Sequence, residues 1–196
     1  MSNHTDLVTD PRPLYLRALA WTHDRIDAVR PDQLTAPTPC AEFDVRALLG
    51  HLVATVERAK VIGEGGDPFS VPLVITGVGD GGWAEAYAEA TAKMWSIWAD
   101  DGRLDAEVTA PWGTIPGRTA MLGYLNETLV HGWDLTVATG QPSEADADLA
   151  SAVLALAERI IPAEPRGGHV PFAPPVKPAP DAGPTERLAN WSGRRR

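Results

Sequence analysis

Side chains able to hold a cation or move a proton stand close together in the stretch NETLVHGWDL, residues 126–135. Glu127, His131 and Asp134 are four and three positions apart, a spacing that stacks them on one face of a helix. Leu122, Leu125, Leu129 and Trp133 form a stripe on the opposite side, and Tyr124, Val130 and Leu135 flank the polar residues. The pattern fits either a solvated stripe on an amphipathic helix or a site. As a site it has defined chemistry. A Glu/His pair at i, i+4 can aim a carboxylate oxygen and an imidazole nitrogen at one point. A third ligand from another helix would complete a metal centre with an open position for water or substrate. Spacing alone leaves both readings open. Asp134 has two roles in view as well: an acceptor that sets the tautomer of His131, or a salt-bridge partner for an arginine such as Arg46 or Arg118.

Of the five histidines, His4 lies in the N-terminal stretch, His23 beside Asp24 and Arg25, and His169 in a proline-rich tail. His51 differs, because it sits within a strongly apolar helical pattern but off its Leu/Val stripe. Its neighbours one turn away are Ala47, Leu48, Ala54 and Thr55, a largely small-residue face that lets another helix come close. Such a histidine is either a hydrogen-bonded core residue or a ligand. Cys40, just upstream of a helix start, reads first as a buried structural residue and second as a soft ligand or nucleophile.

Helical segments must position these residues. The first is expected from about Pro13 to Val29. The second follows Asp44 as N-cap, with a staple of Phe43 on Leu48, and ends at the glycines from Gly63. A third spans about Ala84 to Ala99, and residues 107–112 read as a short strand or loop. A fourth helix, about Arg118 to Thr139, carries the opening stretch and stops at Gly140. The fifth, about Glu144 to Ile161, has Ser143 as N-cap and Leu149, Val153, Leu156 and Ile160 as its apolar stripe. Seven prolines between Pro162 and Pro180 exclude helix or central strand there, leaving an extended arm or a disordered tail; Leu188 and Trp191 beyond it suggest docking. The expected architecture is all-α: an antiparallel four-helix bundle over residues 1–161, with an additional helix, and a Pro-rich C-terminal arm over 162–196 docked on it.

Gly77, Gly79 and Gly82 match the spacing of a dinucleotide fingerprint, with Asp100 and Asp101 near the distance of a ribose-binding acid. Pro72 sits badly in a buried strand and no second strand–helix unit follows, so a loop at a pocket mouth is the better reading. The net charge of −9 argues against nucleic acid or an anionic membrane as partner. One cysteine excludes an internal disulfide, and no signal peptide or membrane-spanning run is visible, so a cytoplasmic protein, monomer or homodimer, is expected.

Two blocks carry a resemblance beyond spacing: TAPTPCAEFDVRALLGHLV at 35–53 and ETLVHGWDLTVATGQ at 127–141. Together with the ending FAPPVKPAPDAGPTERLANWSGR at 172–194, they make the chain similar to the DinB-like metal-binding superfamily. The resemblance is to the actinobacterial branch typified by the N-terminal domain of mycothiol-dependent maleylpyruvate isomerase. It implies a four-helix bundle holding a divalent metal, commonly zinc, with His51, Glu127 and His131 as ligands. It also implies mycothiol as cosubstrate and an electrophilic small molecule as substrate, for S-transfer or isomerisation. Asp134, Tyr124 and Trp133 are candidates for supporting or lining such a site. Two departures stand out: the isomerase has a further C-terminal domain where this chain has the Pro-rich tail, and its substrate-binding arginine has no counterpart here. The alternatives are a metal-dependent hydrolase or Lewis-acid biosynthetic enzyme on the same bundle, or a non-catalytic metal-binding protein with Cys40 or His23 as a fourth ligand.

Overall fold

A computed structural model describes residues 10–167, 170 and 172–196; the readings of His4 and His169 lie outside the described residues. Seven α-helices and one hairpin follow in order: α1 Arg12–Asp27, α2 Val45–Gly63, α3 Trp83–Trp98, α4 Gly102–Asp105, β1 Glu107–Ala110, β2 Gly113–Pro116, α5 Gly117–Thr139, α6 Ala147–Ile160 and α7 Pro184–Trp191. The chain is thus a helical bundle, and the hairpin is the one sheet among the described residues. Helix α1 packs on α3 and α5, and α2 packs on the same two, so these four helices close a ring around one core. Helices α6 and α7 pack on each other and against α5.

The local reasons are those of helix physics. At the start of α2 the Asp44 carboxylate accepts from the Ala47 amide at 2.8 Å, closing an orphan donor of the first turn. Leu48, Leu49, Leu52, Val53 and Val56 are all buried. Phe43 lies with its ring 4.8 Å from that of His51, so the residue before the cap also walls the polar cluster. Helix α5 ends where Gly140 adopts a left-handed conformation, φ 71°, which a side chain would resist. That helix is buried on nearly every side. The polar face read from the sequence therefore points into the molecule and is not a wet stripe.

Close approach of helices depends on a missing Cβ at two places. A Cβ at Gly132 would stand 2.4 Å from the Trp21 ring, so this glycine brings α1 down onto α5 beside His131 and Asp134. A Cβ at Gly50 would stand 2.3 Å from the Ile75 carbonyl oxygen; here the loop 64–82 lies across α2, with the Ile75 amide donating to the Gly50 carbonyl at 3.1 Å. The glycine-rich stretch is a strap over α2, with no strand before it. Asp101 bonds Arg12 and Asp100 bonds the Gly102 amide.

The start of α6 differs from the sequence expectation. The helix begins at Ala147 rather than Glu144, and Ser143 instead accepts a hydrogen bond from Arg196 at 2.7 Å. The reason is that Glu144 is engaged elsewhere. Its carboxylate accepts from the Thr185 and Glu186 amides at 2.9 and 3.1 Å, while Thr185 Oγ1 accepts from the Ala145 amide at 3.0 Å. The segment before α6 and the first turn of α7 thereby cap each other. A Cβ at Gly183 would collide with the Glu144 carboxylate at 2.4 Å. Ile160 is exposed at 45%, unlike the rest of its stripe, because it borders a cavity. Replacing Glu144 by Ala is expected to cost about 1 kcal/mol, the usual worth of a helix cap. It should also raise amide exchange in α7 selectively, measurable by denaturant unfolding and hydrogen exchange.

Candidate metal centre

Helices α2 and α5 face each other and bring His51 of the first against Glu127 and His131 of the second. One ligand-capable atom from each of the three lies within 4.8 Å of the others. The two imidazole rings meet edge to face, 77° apart, with centroids at 4.8 Å. Both histidines are buried, and Glu127 retains 28% side-chain exposure.

The second nitrogen of each ring is already committed. His51 Nδ1 lies 2.9 Å from the Leu73 carbonyl oxygen of the strap. A carbonyl can only accept, so this nitrogen carries the proton and Nε2 keeps its lone pair. His131 Nδ1 lies 3.1 Å from Asp134 Oδ2, and its Nε2 is 3.3 Å from Glu127 Oε2. Oxygen acceptors on both Nδ1 atoms, which leave each Nε2 as the ring nitrogen available for coordination, make the arrangement that orients histidine ligands around a metal. The donor set of two imidazoles and one carboxylate suits a zinc-like divalent ion with a free position.

Asp134 is fully buried and serves two partners. Its Oδ2 accepts from His131 and from Arg194 Nε, the latter at 3.0 Å. Arg194 also points Nη2 at Cys40 Sγ, 3.4 Å away. Cys40, His131 and Asp134 form a second ligand-capable group, but the guanidinium already supplies its positive charge. Burial pushes the Cys40 thiol up, so it is a neutral neighbour and not a ready nucleophile.

Three sequence expectations differ from the structure here. Arg46 pairs with Asp80, and Arg118 with Asp105, so neither reaches Asp134. Arg194 does, although in sequence it was only part of a terminal basic run. Its role has no local signal, because it depends on the arm folding back over α5. Neither Cys40 nor His23 joins the His51 group: Cys40 faces Arg194, and His23 lies half-exposed beside Asp24. Tyr124 and Trp133 do not line the adjoining cavity. Tyr124 packs behind Trp112, ring centroids 5.2 Å apart, and Trp133 is buried beneath the Arg196 guanidinium.

That cavity opens on the Glu127 side and has a volume of about 340 Å³. Trp112 and Ile115 of the hairpin, Asn126 and Glu127 of α5, Ile161 and Phe172 form much of its wall. Asn126 and Trp112 were not singled out in the sequence; an amide beside the Glu/His pair was the available clue.

Charge in the cluster is balanced by protons. Burial and the neighbouring His131 charge lower the His51 pKa to about 4. Burial also opposes a charge on His131, but hydrogen bonds and charge from Asp134 and Glu127 outweigh it and raise its pKa to about 9. Burial likewise opposes charge on Glu127, yet its bond to His131 holds the carboxyl below its usual value. In metal-free protein these groups act in opposite directions. The His131 contribution to stability is fully present below its ordinary pKa of 6.5 and is lost as pH rises through about 9. The His51 contribution is present above 6.5 and is lost as pH falls through about 4. Metal-free wild type should therefore exceed its Asp134→Asn variant in stability most clearly near pH 6. The gap should narrow by pH 9 to 10, followed by urea unfolding at each pH.

Comparison with known proteins bears on the same residues. The family model described as the mycothiol maleylpyruvate isomerase N-terminal domain matches residues 16–74, which hold most of α1, all of α2 with His51, and the first part of the strap. Two proteins of Mycobacterium tuberculosis, the uncharacterized proteins MT0763 and Rv0738, are each 34% identical over 187 residues, covering 94% of this chain and 98% of theirs. No solved structure matches the chain. Similarity over almost the whole length establishes that the chain belongs to one family with these two Mycobacterium tuberculosis proteins, and the domain match supports its resemblance to the DinB-like mycothiol maleylpyruvate isomerase N-terminal domain.

Proposed function

We propose that the protein is a divalent-metal-dependent enzyme that joins a low-molecular-weight thiol, mycothiol, to an electrophilic small molecule, for S-transfer or isomerisation. The observation that carries this reading is the convergence of His51, Glu127 and His131 within 4.8 Å, with each histidine's Nδ1 committed to an oxygen acceptor and His131 Nε2 turned toward Glu127. His51, Glu127 and His131 would hold the ion, and the family relationship supplies the thiol. When bound, a zinc-like ion would favour the thiolate form of the cosubstrate at neutral pH.

The protein's own groups account for the rest. The Leu73 carbonyl fixes the His51 tautomer, and Asp134, itself held by Arg194, fixes that of His131. Glu127, as a carboxylate among the three donors, would lower the net charge of the centre and so favour a nucleophilic thiolate there. The largely apolar cavity beside Glu127 holds the electrophile away from bulk water. In S-transfer a carbon–sulfur bond forms as the leaving group departs with its electron pair, and the thiol proton passes to solvent. In isomerisation the sulfur adds to one end of a conjugated double bond. The resulting single bond rotates, and expulsion of the same sulfur restores the alkene with no net change in atoms or electrons.

Protein purified without added metal should carry about one divalent ion per chain, and His51→Ala should lose it while keeping its helical circular dichroism. Addition of mycothiol to cobalt-substituted protein should produce a thiolate-to-cobalt absorption band. A cobalt spectrum indifferent to mycothiol would favour the hydrolase reading; absence of stoichiometric metal, with His51→Ala unchanged, would overturn the metal centre itself. Metal uptake must also displace the His131 proton. Apparent affinity should thus rise roughly tenfold per pH unit from neutrality to about 9, with proton release visible by calorimetry in buffers of different ionisation enthalpy.

A further inference from the structure

His51 depends on an acceptor that belongs to no helix and no sheet. The Leu73 carbonyl that accepts from its Nδ1 at 2.9 Å sits in the strap 64–82, whose one regular element is the 3₁₀ turn Pro68–Ser70. A carbonyl in such a segment has no hydrogen-bond ladder to hold it in place. Packing beneath the strap is also incomplete. Ser70, Val71, Pro72 and Ile75 border an open groove of about 360 Å³, whose other walls come from α2 and α3. Side-chain and backbone ties to α2 therefore have to keep Leu73 within hydrogen-bond distance of the ring.

Those ties are found along the strap as it runs back over α2. Toward its end Asp80 pairs with Arg46 at 2.6 Å, an exposed contact of little energetic weight. Nearer the middle, the Ile75 amide donates to the Gly50 carbonyl at 3.1 Å. On the other side of Leu73 stands Arg58. It lies seven positions after His51, so the two residues project from one face of α2. Its Nε donates to the Pro68 carbonyl at 3.2 Å and its Nη2 to the Pro72 carbonyl at 3.1 Å, with the Val71 carbonyl 3.5 Å away. A planar guanidinium can serve several carbonyls at once, and its charge makes such bonds stronger than neutral ones. Leu73 is thus bracketed: Arg58 holds the residue before it, and Gly50 holds the residue two positions after it.

We propose that Arg58 is a positioning residue for the metal centre: by clamping the Pro68 and Pro72 carbonyls it holds the Leu73 carbonyl on His51 Nδ1, and so keeps Nε2 as the coordinating nitrogen. Coordination by His51 rests on the metal–thiol reading above. The choice of ring tautomer does not, and it can be read in metal-free protein. The two histidines are then served alike. Asp134 meets His131 and is held by Arg194; the Leu73 carbonyl meets His51 and is held in place by Arg58. Each ring's acceptor is secured by an arginine from outside the ligand set.

The test reads the His51 ring by long-range proton–nitrogen correlation NMR on full-length, chelator-treated protein at neutral pH, beside zinc affinity from competition with a chromophoric chelator. Wild type should show a single tautomer with its proton on Nδ1. In Arg58→Met both tautomers should appear, and zinc affinity should fall about tenfold, the low end for losing an outer partner of a ligand histidine. Arg58→Lys keeps the charge without the fork and should fall between the two. As the milder change, it carries the test if Arg58→Met does not fold. Asp80→Asn loosens the far end of the strap and should match wild type in both measurements. An Arg58→Met protein that keeps the single tautomer or the wild-type zinc affinity would overturn the proposal. So would full recovery in Arg58→Lys, or an Asp80→Asn protein as impaired as Arg58→Met. Failure of wild type to bind zinc would sink the metal reading alone, because the tautomer comparison decides the role of Arg58 in either case.

Discussion

The carboxylate of Asp134 is the constraint on which much of this structure turns. It is completely buried in the C-terminal part of α5, where an unpaired charge would be costly. Two cationic partners answer it, the His131 imidazole three residues earlier and the Arg194 guanidinium from the end of the chain. The second partner ties the C-terminal arm to the centre of the bundle. Arg194 reaches Asp134 because α7 packs against α5 and α6, and the Glu144–Thr185 reciprocal cap secures the start of α7. Further along the arm, Arg166 donates to the Ala173 and Trp191 carbonyls and lies over the Trp191 ring, which braces the proline-rich segment. A segment with no regular hydrogen-bond ladder of its own is held by arginines that supply donors its prolines lack.

The same cluster explains how a largely apolar bundle tolerates a polar interior. Without metal, Glu127 and Asp134 are balanced by protonated His131 and Arg194. His51 stays neutral because burial and the adjacent positive charge disfavour a second imidazolium. The proton on His131 stands where a cation's charge would be used, between an imidazole and a carboxylate. A divalent ion replacing that proton would meet donors whose tautomers are already set, so little reorganisation is needed on binding. The Cys40, His131 and Asp134 group shows the contrast: it has similar ligand types, but a guanidinium already fills its demand for positive charge.

Backbone closeness does much of the positioning. Gly50 lets the strap lie on α2 so that the Leu73 carbonyl reaches His51. Gly132 admits Trp21 against α5, and Gly123 admits Trp112. These glycines sit within helices, where each costs stability relative to alanine. Their return is contact distance, which places one polar acceptor, one helix and one cavity wall around the three candidate ligands. Among the described residues no helix is long and apolar enough to cross a membrane.

Much of the bundle was legible in the sequence because helix periodicity and capping are local. The Asp44 cap, the Leu/Val stripe of α2 and the Gly140 stop of α5 each follow from a few neighbouring residues. Glu127 and His131 were legible as a pair for the same reason, since one helical turn separates them. Their relation to His51, 76 positions before Glu127 by numbering, could be suggested from the sequence by resemblance, whereas the structure supplies the distances. What tertiary structure alone decided is which groups answer each buried charge and each ring nitrogen. Arg194 rather than Arg46 or Arg118 meets Asp134, the Leu73 carbonyl meets His51, and Glu144 caps α7 instead of beginning α6. Periodicity carries no information about such choices, because desolvation and hydrogen-bond satisfaction act between segments that only the folded chain brings together.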